Sequence, residues 1–235
     1  MTYLESPGVS LDRRSVLALP ALLGLRAPGA ASTSERLDFE SFTAHCKALV
    51  DEHLKGDGSL HEALLLDLAQ AGARLDARDV PRPQFGAFGG YEPRIGFGPV
   101  HKAPPFMVIQ WQLDPHAVLP PHNHTPVHVV SLCLEGECLV RHFDLEGEAP
   151  PVGQPGEFHL RQTRAQLLRP GHASSLTPKR DNIHTFRAGP AGALGIDLNV
   201  FLPGAGDWSM IAGEPLADDG YAPTHKARWI GKPKG

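Results

Sequence analysis

The residues most able to do chemistry lie together in Pro120-Pro121-His122-Asn123-His124-Thr125-Pro126-Val127-His128. On an extended chain, side chains two apart point to the same face. His122 and His124 can therefore aim two imidazoles at one point, which is what a transition metal needs from a strand. Pro120 and Pro121 stiffen the approach and suit an edge or a strand entry. A solitary histidine is ordinarily a hydrogen-bonded structural residue, and these two escape that reading because they share a face. His128 has ligating capacity too, but Pro126 disturbs the strand alternation. We read it as a pocket wall, or as a catalytic partner that orients a ligand or the substrate. His101, His116, His142, His159 and His172 have no comparable context and read as surface or capping residues.

Two charged residues join the candidates. Asp197 sits in the apolar run Gly195-Ile196-Asp197-Leu198. It is either a satisfied turn or barrel partner, or a base acting behind a ligand histidine. Arg94, in Tyr91-Glu92-Pro93-Arg94, is a surface arginine unless it points inward, where its fork would suit a carboxylate. Tyr91 and Trp111 read most simply as core aromatics.

These residues need a scaffold. Leu37, Phe39, Phe42, Cys46, Leu49 and Val50 recur at roughly helical spacing, Gly56-Asp57-Gly58 breaks the pattern, and Leu60 to Leu75 resumes it. Residues 34–78 thus predict two helices joined by a glycine turn. From Pro81 onward the apolar runs shorten. Phe106–Leu113, Val127–Leu134, Leu139–Phe143, Ala165–Leu168, His184–Phe186 and Ala193–Phe201 are strand candidates separated by Gly, Pro or Asp clusters. The fold class is mainly β, a sandwich or barrel over residues 79–205. Residues 206–235 show little periodicity and read as a tail wrapping the barrel surface.

With 25 Gly and 23 Pro, the chain favours turns and short strands over long helices. Its 22 Lys and Arg against 26 Asp and Glu leave no basic excess, which argues against nucleic acid as a partner. Arg13 and Arg14 precede a short apolar run, Val16 to Leu25, and the small residues Gly29, Ala30 and Ala31. That order predicts a twin-arginine export signal over residues 1–31, hence a periplasmic or extracellular protein. The run is too short for a stable membrane span. Cys133 and Cys138 flank the turn-like Leu134-Glu135-Gly136-Glu137. They either face each other across a hairpin or serve as small buried hydrophobes.

The histidine pair, its following strand and Gly136, then Arg169-Pro170-Gly171, Pro178 and Asn182-Ile183-His184, resemble the two motifs of the cupin family over roughly Phe106 to Pro203. The resemblance implies a single cupin β-barrel in which His122, His124 and His184 are the metal ligands. The glutamate that usually follows the cupin histidine pair has no counterpart here. Within cupins, His122-Asn123-His124-Thr125-Pro126-Val127-His128 resembles the thiol dioxygenases, both the cysteine and the aminoethanethiol type. Asn182-Ile183-His184 with Gly195-Ile196-Asp197-Leu198 resembles the aminoethanethiol side. Tyr91-Glu92-Pro93-Arg94 resembles the Tyr-x-Arg stretch of the cysteine side, whose arginine binds the substrate carboxylate. Val129 stands where some members carry a crosslinked cysteine, and the Ser-His-Tyr arrangement of cysteine dioxygenases has no match. The implied activity is addition of both atoms of O2 to the sulfur of a small thiol. Cysteine or mercaptopropionate is the expected substrate, held by Arg94 and Tyr91. The implied cofactor is one Fe(II) per chain, with zinc, manganese or nickel as alternatives. The rival readings are a cupin metalloprotein of other chemistry and a zinc-holding cupin that binds a ligand or a partner.

Overall fold

The structure is a computed structural model and describes residues 36–56, 61–82, 86–88, 92–204, 209–213 and 224–231. The expected export signal, with Arg13 and Arg14, lies outside the described residues, as does Tyr91. None of the described helices is long and apolar enough to cross a membrane.

Two helices open the described chain, as their periodicity predicts: α1 spans Phe39–Leu54 and α2 spans His61–Gly72. Asp38 caps α1 by accepting a hydrogen bond from the Ser41 amide at 2.7 Å, satisfying one of the orphan donors of the first turn. The buried face of α1 carries Phe42, Cys46 and Val50, that of α2 Leu64, Leu65, Leu68 and Ala71. Both faces pack on one wall of a β-barrel.

Ten strands follow: β1 (Gly86–Phe88), β2 (Glu92–Ala103), β3 (Phe106–Leu113), β4 (Val118–Asn123), β5 (Val127–Glu146), β6 (Glu157–Leu168), β7 (Ala173–Leu176), β8 (Ile183–Phe201), β9 (Met210–Gly213) and β10 (Thr224–Gly231). All pairings are antiparallel, in the order β1-β2-β3-β8-β4-β9-β10-β6-β5-β7, and an additional β8–β5 pairing closes the ring. The closed barrel is thus β8-β4-β9-β10-β6-β5, with β3, β2 and β1 extending from β8 and β7 added to β5.

Two features differ from the sequence expectation. The pairs of short strands on either side of Gly136 and of residues 187–192 are each one long, bent strand, β5 and β8. Gly136 does not turn the chain back. It sits at a register shift between β5 and β8 with φ +70°, and a Cβ there would lie 2.2 Å from the Gly192 carbonyl oxygen. Only glycine meets both demands. Cys133 and Cys138 therefore lie along one strand and not across a hairpin, and both are buried free thiols. Burial pushes the Cys133 thiol up to about 11 and raises that of Cys138 further. Second, the chain beyond Leu202 adds β9 and β10 to the barrel. In β10, buried His225, Ala227 and Trp229 alternate with exposed Thr224, Lys226 and Arg228, which is the period of a half-buried strand.

Strand parity divides the wall shared by β3, β5 and β8. Phe106 and Val108, Val130, Leu132 and Leu134, and Ile196, Leu198 and Val200 pack with the helices. The alternate residues Trp111 and Cys133 join the interior cluster with Leu119, Val140, Phe186 and Met210. Asp197 and Asn199 share that inward side and line a cavity.

Candidate metal centre

The paired strands β4 and β8 bring His122 and His184 opposite each other as Cα partners. His124 follows two residues after His122, just past the end of β4, and its backbone is clamped by Asn182. The His124 amide donates to the Asn182 carbonyl at 3.1 Å, and the Asn182 side-chain amide donates to the His124 carbonyl at 3.0 Å. The three imidazoles converge. His124 Nε2 and His184 Nε2 are 2.9 Å apart, and His184 Nε2 and His122 Nε2 are 3.0 Å apart. Among the described residues they are the one group of three or more metal-capable side chains whose ligand atoms lie within 4.8 Å of one another.

The chemistry of this set fits a transition metal. His122 Nδ1 lies 3.0 Å from the Pro120 carbonyl, so Nδ1–H donates there and the Nε2 lone pair is left for a ligand bond. Burial holds His122 at about 4 and pushes His124 and His184 well below the ordinary histidine range, with repulsion among the rings adding to it for the latter two. All three are therefore neutral near pH 7, the state that ligates. Three neutral imidazoles, with no carboxylate in the group, suit iron or zinc and leave coordination positions open.

Beside the triad lies a cavity of 690 Å³. Phe97, Met107, Ile109, Val127 and Phe201 supply apolar wall, and His122, His124, Asp197 and Asn199 supply polar groups. Asp197 is the charged residue among the described lining residues. Its carboxylate accepts from Trp111 Nε1 at 3.0 Å, and Ser131 faces it across the β5–β8 ladder. Burial pushes the carboxyl up to about 6, against the opposing pull of the Ser131 and Trp111 hydrogen bonds. Gly195 makes this contact possible. A Cβ there would stand 2.1 Å from the Trp111 ring and 2.3 Å from the Leu132 carbonyl oxygen.

The other sequence candidates fall elsewhere. Arg94 is exposed. Its guanidinium donates to the Pro115 carbonyl and lies 4.0 Å from Asp114, and it does not line the cavity. Its contacts are with the turn between β3 and β4. His128 does not line the cavity either. It lies on the helix-facing side of β5 with Val130 and Leu132, and its Nε2 meets His61 Nδ1 at 2.9 Å. Its contact is with α2, away from the cavity in which the sequence places it.

Sequence reasoning missed two residues. His142, read as surface or capping, is fully buried, is the Cα partner of His184, and has its ring 5.9 Å from that ligand's ring. Its Nε2 lies 2.6 Å from Ser174 Oγ and 3.2 Å from Arg164. Trp111, read as a core aromatic, also positions Asp197. The signal for His142 was its place in a strand whose pairing with β8 was not yet known.

The family model PCO_ADO, a thiol dioxygenase family of the cupin fold, matches residues 68–201. Among solved structures the chain is similar to KdgF from Halomonas sp., with 25% identity, TM-score 0.35, and coverage of 48% of this chain and 84% of that one. It is also similar to an uncharacterized conserved protein with a double-stranded β-helix domain from Klebsiella pneumoniae, with 15% identity, TM-score 0.38, and coverage of 57% and 88%. Pumpkin seed globulin is similar at 17% identity and TM-score 0.39, covering 56% of this chain and 32% of that one. No curated protein matches the chain. With the family model spanning more than half of the sequence, and a three-histidine centre inside a closed antiparallel barrel, the chain belongs to the PCO_ADO family of thiol dioxygenases.

Proposed function

We propose that this protein is an iron-dependent dioxygenase that converts a thiol carrying an amino group, of the aminoethanethiol type, into the corresponding sulfinate, with both oxygen atoms of O2 going to sulfur. The observation that carries this reading is Asp197. It is a buried carboxylate on the cavity wall, and no Lys or Arg lines that cavity among the described residues. A carboxyl held at about 6 is mostly ionised at pH 7. A buried anion without a cationic partner is costly, and a substrate ammonium would supply that partner. Arg94, exposed and donating to the Pro115 carbonyl away from the cavity lining, lends no support to a carboxylated thiol.

His122, His124 and His184 would hold the iron. When bound, it supplies the redox chemistry that joins dioxygen to sulfur. The protein's own contribution is placement. Asn182 fixes the His124 backbone, Trp111 fixes the Asp197 carboxylate, and Met107, Ile109 and Val127 provide an apolar wall for the remainder of the substrate. At 690 Å³ the cavity is larger than a two-carbon thiol requires.

The test is oxygen uptake by the Fe(II)-reconstituted protein with cysteamine, cysteine and mercaptopropionate, beside a His124→Ala control. Uptake fastest with cysteamine and absent in the control is expected. Preference for mercaptopropionate, which lacks the amine, would refute the role given to Asp197. No uptake with any thiol by a chain that holds zinc tightly would favour a binding protein.

A further inference from the structure

A second group of imidazoles lies outside the cavity, at the seam between the helices and the barrel. His53 comes from the last turn of α1, His61 from the first turn of α2, and His128 from β5. His61 Nδ1 and His128 Nε2 are 2.9 Å apart, and their ring centroids are 4.4 Å apart. In the iron-site triad the corresponding figures are 2.9 and 3.0 Å between nitrogens and 4.6 to 4.8 Å between rings. The seam pair thus has the same nitrogen-to-nitrogen approach as the residues that form the metal centre. The His53 ring lies 5.8 Å from that of His61, and its Nε2 is buried with no hydrogen-bond partner among the described residues. A buried polar atom without a partner is expensive and calls for one. His128 Nδ1 is likewise buried and unpartnered.

We propose that His61 and His128, with His53 as the third ligand, form a second metal site that takes a divalent transition cation of the zinc, nickel or copper class. Neutral imidazoles favour that class over calcium or magnesium, which prefer oxygen. His53 stands one ring further out than the other two, so the site closes by a side-chain adjustment of a half-buried residue at a helix end. The nearby carboxylate of Glu62 is already engaged by Arg180 at 2.9 and 3.0 Å, so histidines supply the ligands. Its three ligands come from α1, α2 and the barrel, so an ion there would tie the helical pair to the wall that carries β5. The site works by linkage, stabilising the folded chain as metal occupies it.

The experiment is zinc binding to the metal-free full chain, with metal counted by elemental analysis after gel filtration and unfolding followed by melting. Wild type is expected to hold two equivalents. His61→Ala should hold one, and so should the triad variant His122→Ala/His124→Ala. In the triad variant zinc should still raise the melting temperature, and adding His61→Ala should abolish both the rise and the last equivalent. His53→Gln, at a half-buried position, serves if the alanine at 61 perturbs folding, and should also weaken the second equivalent. A wild-type chain that takes only one equivalent, or a His61→Ala chain that takes as many as wild type, overturns the proposal. It would leave the His61–His128 contact as an ordinary hydrogen bond.

Discussion

Replacing Asp197 by Asn should make the protein more stable at neutral pH and less active. The wild-type carboxyl is held at about 6, against 3.8 for an unperturbed aspartate, chiefly because burial disfavours its charged form. The native state therefore binds this proton more tightly than the unfolded chain does. The stabilisation is fully present below about pH 4, falls as pH rises through the interval to about 6, and is gone above it. A tenfold difference in proton affinity between the folded and unfolded chain corresponds to about 1.4 kcal/mol, so the ionised carboxylate costs the fold about 3 kcal/mol at pH 8 relative to acid. Asparagine is nearly the same shape, never ionises, and retains an oxygen to accept from Trp111 Nε1. Urea denaturation of metal-free wild type and Asp197→Asn, at pH 4 and pH 8, reads the difference. The histidines titrate in both proteins and cancel. The variant should gain about 3 kcal/mol over wild type between the two pH values. Its kcat/KM for cysteamine should fall because the ammonium loses its counter-charge. A stability difference that does not change with pH would refute the perturbed carboxyl and, with it, the argument that Asp197 waits for a cation.

Two further outcomes follow from the same geometry. Because burial holds His122 at about 4 and the other two ligands well below the ordinary range, zinc affinity at the triad, measured in a His61→Ala background, should change little between pH 8 and 5.5. Three unshifted histidines would lose about a thousandfold at the lower pH, and a loss of that size would refute the buried-neutral description. Gly195→Ala forces a methyl group into the Trp111 ring and the Leu132 carbonyl. It should cost about 1–3 kcal/mol of stability and lower cysteamine turnover through a misplaced Asp197. Unchanged melting and turnover would show that Trp111 does not position the carboxylate.

Much of the site was legible in the sequence because it depends on local chain geometry. His122 and His124 are two apart in an extended segment, and the family motifs implied His184 as the third ligand. The structure brings all three nitrogens together. The two N-terminal helices and β3 were legible for the same reason, since periodicity of 3.6 or 2 is a property of a short window. Even β10 carries its alternation openly in His225, Ala227 and Trp229, although the Gly- and Pro-rich context obscured it. What the sequence could not decide is which face of a strand looks inward. Period-2 alternation separates two sets of residues without labelling them. In β5 and β8 both sets are apolar enough to be buried, one under the helices and one inside the barrel. Docking α1 and α2 against Val130, Leu132, Ile196 and Leu198 fixed the labels. That single packing decision sent His128 to the helix seam and Asp197 to the cavity. Pairing β5 with β8 then placed His142 behind His184, a contact between residues 42 positions apart that no local pattern encodes.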